Sequence, residues 1–284
     1  MKRPDWRTVT VNACRLGILL ALLALWEWGW QLKTQHHWPM PSMLDPYFVS
    51  RPSVIWASFL KLGCFSDIRG FQFCLFENEQ NIWWAIGATL RNTFWGFLGG
   101  VSLGVLAGLV LGRYEILARV FEPYVIAFNS LPRIALVPLI ILLFGLGDMS
   151  KIVTAWVIVF FVVFFNAFEG ARAVDRDHIN AARLLGANEW QIALTVVIPS
   201  TMGWVFAALT PAVSFSLIGV IVGEFIGAEH GLGKMEVEAE GRGDATVMMV
   251  VLFVLMIIGV VLSLAIRRLQ AYLLRWQAQF QERG

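Results

Sequence analysis

Long apolar runs alternate with short polar segments along most of this chain. An α-helix needs about 20 apolar residues to cross a bilayer, and six runs approach or exceed that length. They cover residues 16–32, 93–111, 117–147, 152–168, 203–227 and 247–266. The pattern predicts an all-α integral membrane protein with about six transmembrane helices.

The run 117–147 is too long for one straight span. As a continuous helix it would measure about 46 Å, whereas the hydrocarbon core of a bilayer is about 30 Å thick. Pro132 and Pro138 lie inside the run, and proline interrupts helical hydrogen bonding. We therefore predict a broken helix. Backbone groups freed at membrane depth are tolerated only inside protein or beside a water-filled path, so this segment is a candidate pathway lining.

Glycine recurs at every fourth position in and just after the run 93–111. This spacing puts the glycines on one helix face, where they allow another helix backbone to approach closely. The five positions are Gly96, Gly100, Gly104, Gly108 and Gly112. We interpret this ridge as a packing surface.

The positive charges favour one orientation of the six spans. Thirteen of the 22 Lys and Arg residues lie before the first run, after the second, after the fourth and after the sixth. Short cytoplasmic segments carry the excess of Lys and Arg. The resulting division is a cytoplasmic segment 1–15, a first transmembrane helix 16–32, an external, partly interfacial loop 33–92, a membrane core 93–266 and a cytoplasmic tail 267–284.

Composition supports a lipid environment and argues against nucleic acid as a partner. The chain is 58% hydrophobic and 15% charged, whereas soluble domains carry about 25% charged residues. The formal net charge is only +2. The expected surroundings are therefore a lipid bilayer.

A polar, amphipathic island at residues 178–199 separates two of the apolar runs. Gly186 interrupts its helical pattern, Asn188 is a candidate cap for a second short helix, and Pro199 marks the entry to the next segment. Ala181, Ala182, Leu184 and Leu185 are predicted to share one face, with Arg183 turned away. Two short helices with an apolar face are suited to the groove of another protein, although an ordinary amphipathic loop helix is the alternative.

The order Ala-Ala, three residues, Gly, eleven residues, an apolar residue and Pro resembles the EAA loop of ATP-binding-cassette importer membrane subunits. In that family the loop is a cytoplasmic coupling helix that docks into the ATPase subunit. Asn180 stands where an acidic residue is usual, and Val196 and Ile198 replace Ile and Leu. The matching docking positions are Asn180, Ala181, Ala182, Arg183, Leu184, Leu185, Gly186, Ala187, Asn188, Glu189 and Trp190.

Two further stretches, 129–148 and 223–233, are similar to the sulfonate, nitrate and taurine branch of this family. The resemblance implies a type I importer permease in the bacterial inner membrane, with both termini cytoplasmic. It implies a homodimer of this chain, two ATPase subunits that bind ATP and Mg, and a periplasmic solute-binding protein. The implied solute is small and mostly anionic, such as a sulfonate, taurine or nitrate. No cofactor is expected in this chain itself.

Six polar residues within the apolar runs are candidates for the translocation pathway: Asn129, Ser130, Arg133, Ser214, Ser216 and Glu224. Arg133 is the one charge that we expect deep in the core. It either attracts an anion or pairs with a carboxylate across the pathway, or it satisfies carbonyls freed by the proline break. Glu224 belongs to an outer gate or holds a helix end.

Two of the three cysteines, Cys64 and Cys74, lie in the external loop, where disulfides persist if the compartment is oxidising. They are either bridged or free, since sequence spacing does not fix the distance between their Cα atoms. Cys14 is on the other side and is expected to be free.

The sequence contains no recognisable catalytic apparatus. It lacks a G-x-x-x-x-G-K-[ST] phosphate loop, and its four histidines do not cluster at metal-ligand spacing. We therefore expect no enzymatic activity, no catalytic residue and no metal site. A self-sufficient secondary transporter or channel is the alternative to the importer subunit, and a membrane enzyme is a third, but neither explains the polar island.

Overall fold

A computed structural model describes residues 6–36, 49–65, 81–227 and 229–274, and their regular secondary structure is entirely helical. The helices are α1 (Trp6–His36), α2 (Pro52–Leu62), α3 (Ile82–Arg113), α4 (Glu115–Ser130), a 3-10 turn (Arg133–Leu136), α5 (Val137–Phe144), α6 (Asp148–Arg172), α7 (Arg176–Leu184), α8 (Glu189–Ile192), a π-helical segment (Ala193–Val197), α9 (Ile198–Gly227), α10 (Leu232–Arg242) and α11 (Ala245–Leu273).

Four described helical stretches are long and apolar enough to cross a membrane: Ile82–Arg113, Asp148–Arg172, Glu189–Gly227 and Ala245–Leu273. A fifth is obtained if the bent pair Ile116–Ser130 and Arg133–Phe144 counts as one span. The predicted first span, 16–32, lies within α1 and is not in this count. The predicted all-helical membrane fold is confirmed.

The predicted break in the run 117–147 is confirmed. The two halves meet at 85°, and Pro132 lies between them as the residue before the 3-10 turn. Pro138 occupies the first turn of α5, where the missing N–H of proline costs no helical hydrogen bond.

The glycine ridge packs α3 against α6, as predicted. A Cβ atom at Gly96 would lie 2.5 Å from Ala155 Cβ, and one at Gly100 would lie 2.6 Å from Val159 Cβ. A Cβ atom at Gly104 would lie 2.9 Å from the Phe160 carbonyl oxygen. The contacts advance by one turn on both helices together, so α3 and α6 run parallel.

The core of the larger unit lies between α6 and α9. Val159 and Val163 of α6 and Ala208 and Ala212 of α9 form a buried cluster. The larger unit comprises Trp84–Lys234 and the chain from Leu255 onward, and the smaller unit comprises the chain up to Trp83 and residues 235–254.

Within the smaller unit, Glu27 of α1 accepts hydrogen bonds from the backbone N–H and the hydroxyl of Ser53, at 3.0 and 2.7 Å. Ser53 lies in the first turn of α2, so the carboxylate satisfies one of the N–H groups that a helix leaves free at its start. Trp26 stacks on Phe253 with ring centroids 5.9 Å apart.

Cys64 takes part in a disulfide, and Cys14 is free. Cys74 lies outside the described residues, so the pairing of Cys64 with Cys74 stays a prediction.

Candidate functional site

The polar island folds as α7 and α8, joined by a tight turn. Asp175 caps α7 by accepting a hydrogen bond from the Asp177 N–H. At the other end of α7, Gly186 N–H donates to the Arg183 carbonyl and Ala187 N–H donates to the Ala182 carbonyl, at 2.9 and 3.1 Å. These two bonds form a Schellman motif. Its left-handed residue is Gly186, at φ 83°, and glycine adopts this conformation without steric cost.

The second helix begins with a capping box, and the predicted role of Asn188 is confirmed. The Asn188 side chain accepts from the Gln191 N–H, and the Gln191 side chain accepts from the Asn188 N–H, both at 2.8 Å. Reciprocal bonds of this kind satisfy two free N–H groups at a helix start. The turn between α7 and α8 is therefore fixed by local hydrogen bonds.

Pro199 marks the entry to the next segment as predicted, since it lies in the first turn of α9, which begins at Ile198. Helical structure runs without a break from Glu189 to Gly227, a stretch of 39 residues. A π-helical segment, Ala193–Val197, precedes the proline and accommodates its missing N–H. The second helix of the island, α8, is thus the amino-terminal end of the spanning helix.

The inner side of the island packs on the membrane-spanning helices. Ile179, Ala182 and Ala187 contact a buried cluster formed by Ala171, Val174, Ile192 and Val197. The predicted shared face is therefore wrong at Ala182, which points inward with Ile179. The three-residue spacing of Ile179 and Ala182 is the sequence signal that could have shown this.

The outer side of the island presents three large apolar side chains. Leu184, Leu185 and Trp190 are 90%, 89% and 71% exposed. We call these three residues the docking surface. Asn180, Ala181, Arg183 and Asn188 surround it and are also exposed. A rigid helix pair that projects large apolar groups is suited to insertion into a groove of another protein.

Glu189 joins the two helices of the island to α3. Its carboxylate accepts from Arg113 Nη2 at 2.7 Å and from Arg183 Nη2 at 2.9 Å. Exposed ion pairs contribute only about 0–1 kcal/mol each to folding stability. The main effect of these two pairs is therefore to hold the island in position beside α3. Sequence reasoning missed the role of Arg113, which is distant from Glu189 along the chain.

Among the pathway candidates, Arg133 and Asn129 lie together at the break between α4 and α5. Arg133 Nη2 donates to Asn129 Oδ1 at 2.8 Å, and the guanidinium lies 5.3 Å from the centroid of the Phe161 ring. Ser130 donates to the Ile126 carbonyl one turn earlier in α4. Within the described residues, Arg133 therefore donates its hydrogen bond to the Asn129 side chain and not to a backbone carbonyl at the proline break.

The two serines of α9 differ in their surroundings. Ser216 is buried and donates to the Thr93 carbonyl of α3 at 2.8 Å, so it connects two helices. Ser214 is half-buried. The contact of Ser216 gives it a packing role in this conformation.

Glu224 is 1% exposed and is enclosed by groups of its own chain. It accepts from the Thr89 hydroxyl of α3 at 2.9 Å and from the Gly233 N–H at 2.8 Å. Thr89 in turn accepts from the Leu232 N–H at 3.0 Å. Gly231 has φ 134°, and a Cβ there would lie 2.2 Å from Glu224 Cδ. The carboxylate therefore fixes the turn after α9 to α3.

Replacing Glu224 by alanine is expected to lower the thermal unfolding midpoint by about 5 °C or more, because two buried donors lose their acceptor at about 1–3 kcal/mol each. Fluorescence-detected size-exclusion chromatography after heating measures this shift. Glu122→Ala is the control, since the Glu122 side chain is 45% exposed and its ion pair with Arg172 is long, at 3.4 Å. Equal midpoints for both variants would show that the buried contacts contribute nothing.

A second ionic cluster lies at the start of α6. Asp148 accepts from Lys151 Nζ and Asn92 Nδ2, each at 3.1 Å, and pairs with Arg91. Lys151 is 2% exposed. Lys151 and Glu224 are thus more fully enclosed by the protein than Arg133, and the expectation that Arg133 is the one charge deep in the membrane core stays a prediction.

In α10, outside the candidate spans, burial and, to a smaller extent, the neighbouring Glu240 together raise the pKa of Glu236 to about 7. Glu236 is thus partly protonated at neutral pH. Among the described residues, no group of three or more His, Cys, Asp or Glu side chains is arranged to hold a metal ion.

The sequence is similar to membrane subunits of known transport systems. A family model described as "Binding-protein-dependent transport system inner membrane component" matches residues 100–279. The taurine transport system permease protein TauC of Escherichia coli (strain K12) is 26% identical over 98% of this chain and 94% of its own length. The formylaminopyrimidine transport permease protein ThiX of Halalkalibacterium halodurans is 30% identical over 67% of this chain and 76% of its own.

A solved structure has a similar fold. One chain of the MetNI methionine ABC transporter, in an inward-facing conformation, is 26% identical, with a TM-score of 0.53. The match covers 66% of this chain and 92% of the transporter chain.

Proposed function

The chain belongs to the family of binding-protein-dependent transport inner membrane components, and on this premise we propose that it imports a small sulfonate-class anion, driven by ATP hydrolysis in a partner protein. It is an importer permease, and two copies are proposed to enclose the pathway. The observation that carries the proposal is the docking surface, whose three large apolar side chains are exposed at the end of a spanning helix.

The docking surface is proposed to bind an ATPase subunit, one for each copy of the permease. Burying a leucine side chain contributes about 1.5–3 kcal/mol, so Leu184 and Leu185 together can supply much of the affinity of such a contact. ATP and Mg are then bound by the partner. Because the chain from Glu189 to Gly227 is one continuous helix, a movement of the ATPase at Trp190 is transmitted directly into the membrane.

The orientation proposed for the chain places both termini and the docking surface in the cytoplasm. Arg113, Arg172, Arg176 and Arg183 lie at or near the island, and Arg267 and Arg268 lie near the end of α11. Positive charge next to spans is typical of the cytoplasmic side. The turn after α9, held by Glu224, then lies on the periplasmic side, where a solute-binding protein is proposed to deliver the solute.

The sulfonate class is proposed from the similarity to TauC, whose printed name specifies taurine transport and whose match spans nearly the whole of both chains. A cationic residue at the helix break, Arg133, is compatible with an anionic solute. We place Arg133 and Asn129 on the proposed pathway and assign Ser216 and Glu224 to its supporting structure.

Uptake into proteoliposomes tests the proposal. The permease complex is isolated from native membranes with its partner ATPase, reconstituted with its binding protein, and supplied with taurine or benzenesulfonate. We expect a sulfonate to accumulate only when ATP is present on the side of the membrane that carries the ATPase. Accumulation by this chain alone, driven by an ion gradient, would contradict the proposal and favour a secondary transporter.

A further inference from the structure

Four aromatic side chains form a continuous strip along one flank of α2 and the turn that follows it. The Trp56 and Phe59 rings stack with their centroids 5.7 Å apart, and the Phe59 ring lies 6.3 Å from that of Phe65. Phe65 in turn contacts the Trp83 ring edge-on at 6.1 Å. Trp56 and Phe65 are 62% and 55% exposed. We call these four residues the aromatic strip, and an exposed apolar surface of this kind marks a contact with another protein or with a membrane.

The first turn of α2 lies at the level of the lipid headgroups. Its Ser53 is bound to Glu27 of α1 through the backbone N–H and the hydroxyl. Residues 16–23 of α1, shortly before Glu27, are apolar and are exposed without interruption, as in a helix that lipid surrounds. Glu27 is the first charged residue after this stretch, and a carboxylate in hydrocarbon is costly. Glu27 and Ser53 therefore lie where the acyl chains end and the headgroups begin.

The other end of α2 is on the same side of the membrane. The helix has 11 residues and is about 16 Å long, whereas the hydrocarbon core is about 30 Å thick. The Trp83 indole N–H donates to the Gly63 carbonyl oxygen at 3.0 Å, which fixes the end of α2 to the first turn of α3. Because α3 is a candidate span, the aromatic strip continues onto a helix that crosses the membrane. Tryptophan is enriched at this boundary.

The open face of α2 has the chemistry that suits headgroups. Ser53, Ala57 and Lys61 are exposed and recur at every fourth position, so they share one helix face. Lys61 is the one charged residue of α2. Helices that lie in the membrane surface combine an apolar, aromatic flank with a basic residue that reaches the lipid phosphates.

We propose that α2 is an interfacial helix that binds phospholipid. Acyl chains cover the aromatic strip, and Lys61 receives a lipid phosphate. Glu27 of α1 and Trp83 of α3 hold the helix at this depth from its two ends. The residues of this surface are different from those of the docking surface, and the proposal does not depend on the solute or on the ATPase.

Spin-label accessibility in phosphatidylglycerol-containing nanodiscs tests the proposal on the full chain. Single labels are placed by Trp56→Cys, on the aromatic strip, and by Ala57→Cys, on the open face of the same turn. Both are made in a Cys14→Ser background, since Cys14 is free and exposed. Oxygen partitions into acyl chains and a nickel chelate stays in water. We expect the ratio of oxygen to nickel collisions to be at least threefold higher at position 56 than at position 57.

Two further labels calibrate the scale. Leu20→Cys, in the exposed apolar stretch of α1, gives the value for lipid, and Glu240→Cys, exposed in α10 outside the candidate spans, gives the value for water. Equal ratios at positions 56 and 57, both at the water value, would overturn the proposal and leave the strip open to a soluble protein. Low collision rates with both reagents at position 56 would also overturn it, because a second protein copy would then cover the strip.

Photolabelling of the wild-type chain avoids any change to the aromatic strip. Phosphatidylglycerol with a diazirine in its acyl chain should form adducts on peptides that contain Trp56, but not on those from α10. Lys61→Gln should lower the adduct yield at least twofold, whereas Lys234→Gln, in α10, should leave it unchanged. Absence of adducts near Trp56 would contradict the lipid contact, and an unchanged yield in Lys61→Gln would contradict the phosphate contact.

Discussion

Replacing Leu184 and Leu185 together by aspartate is expected to lower the affinity for the proposed ATPase subunit at least about 100-fold, since the contact loses the burial of two leucines at about 1.5–3 kcal/mol each. Both side chains are about nine-tenths exposed in the isolated chain, so the fold should be unaffected. Capture of the ATPase by the purified, tagged chain, titrated by surface plasmon resonance, measures the change.

The matched control is Asn180→Asp. It adds a negative charge to an exposed position of the same helix without removing apolar surface, and in the family that this chain resembles an acidic residue is usual there. We expect this variant to bind the ATPase normally. If Leu184→Asp with Leu185→Asp retained full affinity, the apolar docking surface would have no role in the contact.

Replacing Gly104 by leucine is expected to prevent α3 from packing on α6 and to abolish the folded, monodisperse protein. A Cβ there would lie 2.9 Å from the Phe160 carbonyl oxygen, 3.0 Å from Val163 Cβ and 3.1 Å from the Phe164 nitrogen. Backbone atoms cannot move out of the way by a rotamer change, as the end of a flexible side chain can. Overpacking of a core costs about 1–3 kcal/mol and sometimes more, and a leucine against backbone is a severe case. Size-exclusion chromatography in mild detergent measures the yield.

Gly87→Leu is the control for this prediction. Gly87 is in the same helix, and a Cβ at that position has no atom within 4 Å. The identical substitution should therefore leave the elution profile unchanged. A monodisperse Gly104→Leu variant with wild-type yield would contradict the close α3–α6 contact.

The features that sequence predicts well here are those determined within one helix or one turn. The length of the run 117–147, with Pro132 inside it, was sufficient to predict a break. The four-residue spacing of the glycines predicted close packing, and the structure identifies α6 as the partner. Gly186 and Asn188 predicted the turn of the island, because the hydrogen bonds that fix this turn join residues within five positions of each other.

Features that depend on distant residues were not predictable from the sequence. Glu189 pairs with Arg113 across 76 positions, and Glu224 accepts from Thr89 across 135. Neither spacing has a local signature. The burial of Lys151 has the same cause, since it results from the packing of α6 against α9 near Gly223. Ala182 is a different case, because its three-residue spacing from Ile179 is a local signal for a shared face, although helical periodicity alone does not show which face is covered.

The central claim is that this permease works with a separate ATPase, and native mass spectrometry of the complex captured from inner membranes tests it most directly. Two copies of this chain with two copies of an ATPase that carries a phosphate loop are the predicted composition. Recovery of this chain without a nucleotide-binding partner, under conditions in which it remains folded and moves solute, would contradict the account.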